Sequence, residues 1–175
     1  MPSPAETSLK LSHVLQMRAN LGNNTVMAGQ SRGGATQHLI SLASGFVKGV
    51  EGTKAEGLEF ELMPGGSDWL MVDEKAKMNY LDVRVNGKNL DGDGLFVRYV
   101  GILGADDMTT RYVNGAPGRQ TTKGSDNYWY INPIFETSSA KYQWLTTTFF
   151  VGRGHWYAGD DGSHAAEYEI FEVTG

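Results

Sequence analysis

Hydrophobic residues recur at every second position through most of this chain and seldom at every third or fourth. In Tyr80-Leu81-Asp82-Val83-Arg84-Val85-Asn86, Leu81, Val83 and Val85 fall on one face of an extended strand. Tyr80, Asp82, Arg84 and Asn86 fall on the other. Short runs of this kind, rich in aromatic and β-branched residues, predict strands over residues 9–19, 39–50, 57–63, 67–72, 78–86, 95–103, 128–135, 144–152 and 167–173. The best helical competitor is 36–49, where Leu39, Ile40, Leu42, Ala43, Phe46 and Val47 satisfy a helical period. Gly33-Gly34 and Gly45 interrupt it, and strand is the preferred reading. A short helix fits 138–144.

The breaks between these runs are informative. Asp91-Gly92-Asp93-Gly94 reads as a tight hairpin, and Pro64-Gly65-Gly66 as a sharp corner or bulge. Residues 106–127 form a long polar stretch of the kind that serves as a lid or binding loop, and 159–164 a surface turn. Glycine supplies 23 of 175 residues, about 13% and well above the ~7% average, scattered without repeat. Together these features predict an all-β chain: a single closed, mostly antiparallel β-barrel with at most short helices, closure being the simplest way to remove exposed edges. Residues 1–8 read as a flexible N-terminal tail and 9–175 as one domain.

Composition narrows the chemistry. The chain is 40% hydrophobic and 20% charged, enough for one core that buries ~70% of the unfolded surface. It has no cysteine, which excludes disulfides, thiolate metal sites and a cysteine nucleophile. Fifteen Lys and Arg against 20 Asp and Glu give a net charge of −5 with no basic block, so nucleic acid is not an expected partner. No apolar run approaches the ~18 residues that would span a membrane, and Met1 to Lys10 carries no secretory core, so a soluble cytoplasmic protein is expected.

Several motifs match by letter and lack their context. Gly29-Gln30-Ser31-Arg32-Gly33 has the Gly-x-Ser-x-Gly spacing of a nucleophile elbow but lies in a polar loop of a β protein. Asn89-Leu90-Asp91-Gly92-Asp93-Gly94 imitates a calcium loop, yet Val100 stands where a bidentate Glu is required. His13, His38, His155 and His164 show no metal-binding spacing and read as surface or hydrogen-bonded histidines. Asn23-Asn24-Thr25 is a glycosylation sequon, relevant only in a secreted protein. No phosphate loop or dinucleotide fingerprint occurs, so neither cofactor nor metal is expected.

What survives is a set of acids beside aromatic residues. The polar face of 80–86 is either solvated or lines a polar cavity, in which case Asp82 and Arg84 would pair. Ser67-Asp68-Trp69 follows the glycine corner and suits a cavity rim. Tyr128-Trp129-Tyr130-Ile131-Asn132-Pro133, then Glu136, Tyr142 and Trp144, concentrate rings with one acid. Aromatic walls with a few fixed polar groups describe a pocket for a flat organic ligand. Trp69, Tyr130 and Trp144 are the ring candidates for it, whereas Trp129, Phe135, Phe149 and Phe150 read as core.

Gly65-Gly66-Ser67-Asp68-Trp69, Leu81-Asp82-Val83-Arg84, Asp93-Gly94, Pro133-Ile134-Phe135-Glu136-Thr137, Tyr142-Gln143-Trp144-Leu145, Phe150-Val151-Gly152 and Tyr168-Glu169-Ile170-Phe171-Glu172-Val173 occur in this order. The ordered set resembles the DUF3237 (UPF0311) family. The resemblance implies a barrel similar to those of calycins and allene oxide cyclase, a dimer or trimer, and regular polar positions at Asp68, Asp82, Arg84 and Glu136. It also implies, through fungal relatives in natural-product pathways, cyclase-type chemistry. Tyr130 departs from the pattern, standing near a position where many members carry Arg in a Phe-Arg-Thr-x-Pro stretch.

The expected function is a cofactor-independent acid–base enzyme, a cyclase, isomerase or dehydratase. Its substrate would be a small aromatic, polyketide- or terpenoid-like molecule. In that reading Asp82, oriented by Arg84, removes a proton, and Asp68 or Glu136 returns one. Tyr130 and Arg98 hydrogen-bond a developing oxyanion, and Trp69 and Trp144 wall the pocket. The alternatives are a lipocalin-like carrier for a hydrophobic small molecule and, third, a structural or assembly protein.

Overall fold

The computed structural model describes residues 8–113 and 116–175; of the expected tail, residues 1–7 lie outside that range. The described residues form nine strands in one antiparallel sheet. They are β1 (Lys10–Gln30), β2 (Thr36–Gly49), β3 (Glu59–Leu62), β4 (Gly66–Asp73), β5 (Met78–Lys88), β6 (Gly94–Gly104), β7 (Trp129–Thr137), β8 (Phe150–Ala158) and β9 (His164–Thr174). A helix, α1 (Asp107–Val113), follows β6, and a kinked 3-10 segment (Ala140–Thr147) joins β7 to β8. No helix among the described residues is long and apolar enough to cross a membrane.

The sheet closes into a ring. Hydrogen bonding runs β1-β9-β8-β7-β6-β5, and β2 completes the circuit by pairing with β1 on one side and with β3 and β4 on the other. β3 and β4 share one place end to end: β3 pairs with Gly45–Lys48 and β4 with Thr36–Leu42, and both pair with β5. The Pro64-Gly65-Gly66 corner is therefore a break within what is in effect one strand, with Met63 N–H still bonded to the Asn86 carbonyl at 2.8 Å. The β1–β9–β8 seam carries a buried side-chain cluster as well. Glu167 accepts from Gln16 Nε2 at 2.7 Å and from Arg18 Nε, and His155 Nε2 lies 3.4 Å away. Burial alone would raise the Glu167 carboxyl, but the hydrogen bonds from His155 and Arg18 outweigh it and hold the pKa below the ordinary range.

Strand alternation decides what faces inward. Leu15, Met17, Val47, Phe60, Val83, Val97, Phe135, Phe150 and Ile170 are almost fully buried. Each ring or branched chain sealed in this way contributes about 1.5–3 kcal/mol through burial. One end of the ring is plugged: the 3-10 segment sends Tyr142 against Phe60 (centroids 5.8 Å apart) and buries Leu145, and the Tyr142 hydroxyl donates to the Gly57 carbonyl at 3.1 Å. At the other end stand α1 and residues 116–128.

Two elements differ from the sequence pattern. Strand was expected over 144–152, but β8 begins at Phe150 and the preceding turn is 3-10. Thr146 and Thr148 hydroxyls bond back to the carbonyls of Gln143 and Trp144, at 2.9 and 2.8 Å, which gives that backbone a local alternative to a ladder. The first strand was expected to end at 19 and runs to Gln30. Its polar second half pairs with β2 from Leu21↔Leu42 to Gln30↔Thr36 through two irregularities, with a third just before Leu21, so pairing with a partner strand overrides a loop-like composition. In the long 106–127 stretch, Asp106 Oδ1 accepts the Thr109 N–H at 2.7 Å and starts the seven-residue α1.

At Gly45 the backbones of β1 and β2 approach closely. Its φ is +149°, and a Cβ there would stand 1.9 Å from the Arg18 carbonyl oxygen. Gly45→Ala is expected to cost about 2–4 kcal/mol and lower Tm by roughly 5–15 °C, measured by thermal unfolding with circular dichroism. Gly52→Ala, with φ +74° in an open turn and nothing within 4 Å, is the control for backbone strain alone and should cost only about 1 kcal/mol.

Candidate functional site

In β4, Ser67 and Trp69 face outward, which turns Asp68 inward between Gly66 and Leu70. The β4–β5 ladder has no paired residues between Asp68↔Val83 and Met71↔Tyr80. In that gap the Asp82 N–H donates to Asp68 Oδ1 at 3.2 Å. Asp68 is 8% exposed and has no cationic partner among the described residues. Burial pushes its pKa up from 3.8 to about 7; the Asp82 N–H opposes this and the Asp82 charge adds to it.

Asp68 lines a partly enclosed cavity of about 230 Å³ inside the hollow end of the ring. Its wall is mostly apolar, with Ile40, Leu42, Leu70, Leu81 and Leu103, and it holds a chain of aromatic contacts. Tyr99 donates a hydrogen bond to the Tyr168 hydroxyl at 3.3 Å, with the rings edge to face at 5.3 Å. Burial, with the nearby Asp68 charge, raises both phenols far above their ordinary range, so both stay protonated. Trp129 meets Tyr168 edge-on at 5.3 Å, Trp156 lies 4.5 Å from Trp129, and Tyr112 of α1 stacks on Trp156 at 4.9 Å. The buried Trp156 indole nitrogen and the Tyr112 hydroxyl have no hydrogen-bond partner, and the Trp129 N–H lies near the Tyr168 hydroxyl. Unpaired buried donors are costly to the fold.

The other residues singled out from the sequence lie elsewhere. Leu81, Val83 and Val85 take the inside of β5, so Asp82 and Arg84 are on the outer face, ion-paired at 3.2 Å and about two-fifths exposed. Trp69 and Tyr130 join them in an open groove with Met71, Tyr80 and Val100. Arg98 is on the same outer face, across from Arg84 and Ile134, and Glu136 across from Phe96. Trp144 sits in the 3-10 segment with the Lys54 ammonium 4.3 Å over its ring. Thus Trp69, Asp82, Arg84 and Tyr130 come together outside the ring, and Asp68 alone faces the cavity. The expected meeting of Asp82 with Asp68 in one cavity does not occur, because adjacent strand parity sends them to opposite faces.

Sequence reasoning passed over Tyr99, Tyr112, Trp156 and Arg119, and read His164 as a surface or hydrogen-bonded histidine; Trp129, read as core, is buried in the core and also reaches the cavity wall. Tyr99 had a signal, since it continues the inward Leu95, Val97 spacing. Arg119 had none, lying in the long polar stretch that only the fold brings to the cavity. Among the described residues no group of three or more His, Asp or Glu is arranged to hold a metal.

The fold and the cavity define an all-β protein whose single antiparallel sheet closes around an aromatic pocket with one buried acid. The chain belongs to the DUF3237 family, "Protein of unknown function (DUF3237)", whose model matches residues 9–173. It is 26% identical over 174 residues to PR-toxin biosynthesis cluster protein 7 of Penicillium roqueforti, covering 93% of this chain and 91% of that protein. It is 27% identical over 146 residues to a UPF0311 protein of Rhodopseudomonas palustris, covering 83% of this chain and 87% of that one. The crystal structure of the latter superposes with a TM-score of 0.77 at 24% identity, covering 95% of this chain and 99% of that chain. A protein from Acinetobacter baumannii described as β-barrel-like has a TM-score of 0.71 at 20% identity, covering 98% of this chain and 100% of that one. An enzyme from Penicillium herquei has a TM-score of 0.57 at 17% identity over 99% of both chains.

The raised Asp68 pKa has a consequence for stability. Between pH 4 and 7 the unfolded chain gives up the Asp68 proton while the folded chain keeps it, so this carboxyl's contribution falls as pH rises through that window. The whole fall is roughly 4 kcal/mol. Asp68→Asn removes it: in denaturant unfolding the variant should gain on wild type steadily from pH 4 to 7, and run parallel to it above pH 8.

Proposed function

We propose that this chain is a cofactor-independent acid–base enzyme of cyclase, isomerase or dehydratase type, acting on a small oxygenated aromatic, polyketide- or terpenoid-like molecule. The ring of strands is read as a calycin- or allene-oxide-cyclase-like barrel with its reaction chamber in the hollow end. The observation that carries this reading is a single carboxyl, Asp68, titrating near neutrality inside an aromatic cavity. At pH 7 such a group exists in both forms, so it can take a proton from carbon and return it to another atom, or protonate a departing hydroxyl. The protonated Tyr99–Tyr168 pair would donate to a substrate oxygen as negative charge grows there. Packed ring walls would hold a flexible precursor in a ring-closing conformation. Asp82, Arg84 and Glu136 have no part in this cavity mechanism.

One relative, from Penicillium roqueforti, is named for a PR-toxin biosynthesis cluster, which supports a biosynthetic setting, and a structural neighbour from Penicillium herquei is described as an enzyme. A carrier is the second reading, favoured by the leucine and isoleucine side chains that share the wall with the rings around a lone acid. Mass spectrometry of a metabolite extract from the source organism, incubated with wild type, Asp68→Asn and Asp82→Asn, separates the two. The enzyme reading expects a product with wild type and Asp82→Asn that falls about 10²–10⁴-fold with Asp68→Asn. A metabolite that co-purifies unchanged with all three proteins marks a carrier.

A further inference from the structure

The mouth of the cavity has a chemistry of its own. It is bordered by Leu21, Gly22, Asn23 and Thr25 of the extended β1, by Tyr112 and Val113 of α1, and by Arg119 and His164. Arg119 is the one ammonium or guanidinium group among the described residues that line the cavity. It is held by donating from Nη1 to the Tyr112 carbonyl at 3.1 Å, with its charge 6.0 Å from the Tyr112 ring centre. One such bond leaves most of the five guanidinium donors free.

No carboxylate among the described residues is within ion-pair reach of Arg119. Asp107, Arg111 and Asp126 border a separate groove on its other side. Asp161 accepts the Ser163 N–H at 2.9 Å and is not part of the cavity wall. Burial, and then the Arg119 charge, hold His164 below its ordinary pKa, so at pH 7 it is a neutral hydrogen-bonding ring. The mouth thus presents one fixed cation and a neutral imidazole, with the partly protonated Asp68 as the cavity's acid.

We propose that Arg119 is the specificity-determining residue of the cavity, selecting ligands that join a flat one- or two-ring body to a carboxylate that the guanidinium binds at the mouth. The inference rests on the cavity being the ligand site. The volume of about 230 Å³ sits just below the ~300–1,000 Å³ of sites for drug-sized ligands, which limits the body to one or two rings. Guanidinium and carboxylate are matched in geometry, and their charge-assisted bonds are the strong ones.

The test is a matched pair of probes, 2-naphthoic acid and its neutral isostere 2-naphthamide, titrated at pH 7.5 against tryptophan fluorescence. Wild type is expected to bind the acid at least ~10-fold more tightly than the amide, the size of one charge-assisted contact. Arg119→Gln should erase that preference and leave the amide constant unchanged, and Arg119→Lys should keep part of it. Trp69→Ala, on the outer face, should alter neither constant. Equal binding of acid and amide by wild type overturns the proposal while leaving the cavity as a ligand site. So does an Arg119→Gln variant that weakens both probes equally. If neither probe binds, or if Trp69→Ala abolishes binding, the cavity reading falls together with the proposal.

Discussion

Closure of the sheet is the constraint on which everything else depends. β1 must pair with β2 on one side and β9 on the other, so the two ends of the described chain meet along a single seam. Once that seam forms the ring is continuous, narrowest at the two residue pairs that join β7 to β8, and every strand acquires a fixed inside and outside. The seam is reinforced by Glu167, whose carboxylate draws Gln16, Arg18 and His155 from the two flanking strands. Because the side-chain period in a strand is two, a slip of one residue there would turn Leu15, Met17 and Tyr168 outward.

Within the ring, the two ends are filled differently. Phe60, Phe135, Phe150 and Tyr142 close one end with interlocking edge-to-face contacts. The other end brings Ala166 and Gly22 to the wall and relies on α1 for its cover, which leaves space instead of a packed centre. Asp68 lies beside that space. A carboxyl without a cation partner in an apolar wall opposes folding whenever it ionises, and the fold keeps it partly protonated near pH 7. Residues that disfavour stability and face a cavity are where chemistry is to be sought.

The outer face departs from the usual polarity of a solvated sheet. Trp69, Tyr130, Val100 and Ile134 are each about half exposed around the Asp82–Arg84 pair. The same alternation that made 80–86 legible as a strand therefore left its function open. Periodicity separates two sets of residues onto two faces, but a polar set can line a cavity or meet water, and only the closed ring assigns it to the outside.

Local patterning by itself determined the strands and most of their limits. Alternation in β5 and β6 and the Asn89-to-Gly94 hairpin between them are read from neighbours in sequence, because strand propensity and turn chemistry act over a few residues. Local patterning also identified Asp68 as an acid at a strand start beside a Trp. It did not reveal that the polar half of β1 is strand, since its partner β2 supplies that structure across a hairpin. Nor did it join Asp68 to Tyr99, Tyr168, Trp156 and Arg119, which come from three other strands and the long polar connection. That assembly belongs to tertiary structure alone. Cavities form where a closed sheet fails to fill its interior, and burial, the force that shifts the Asp68 proton, has no meaning until the ring has closed.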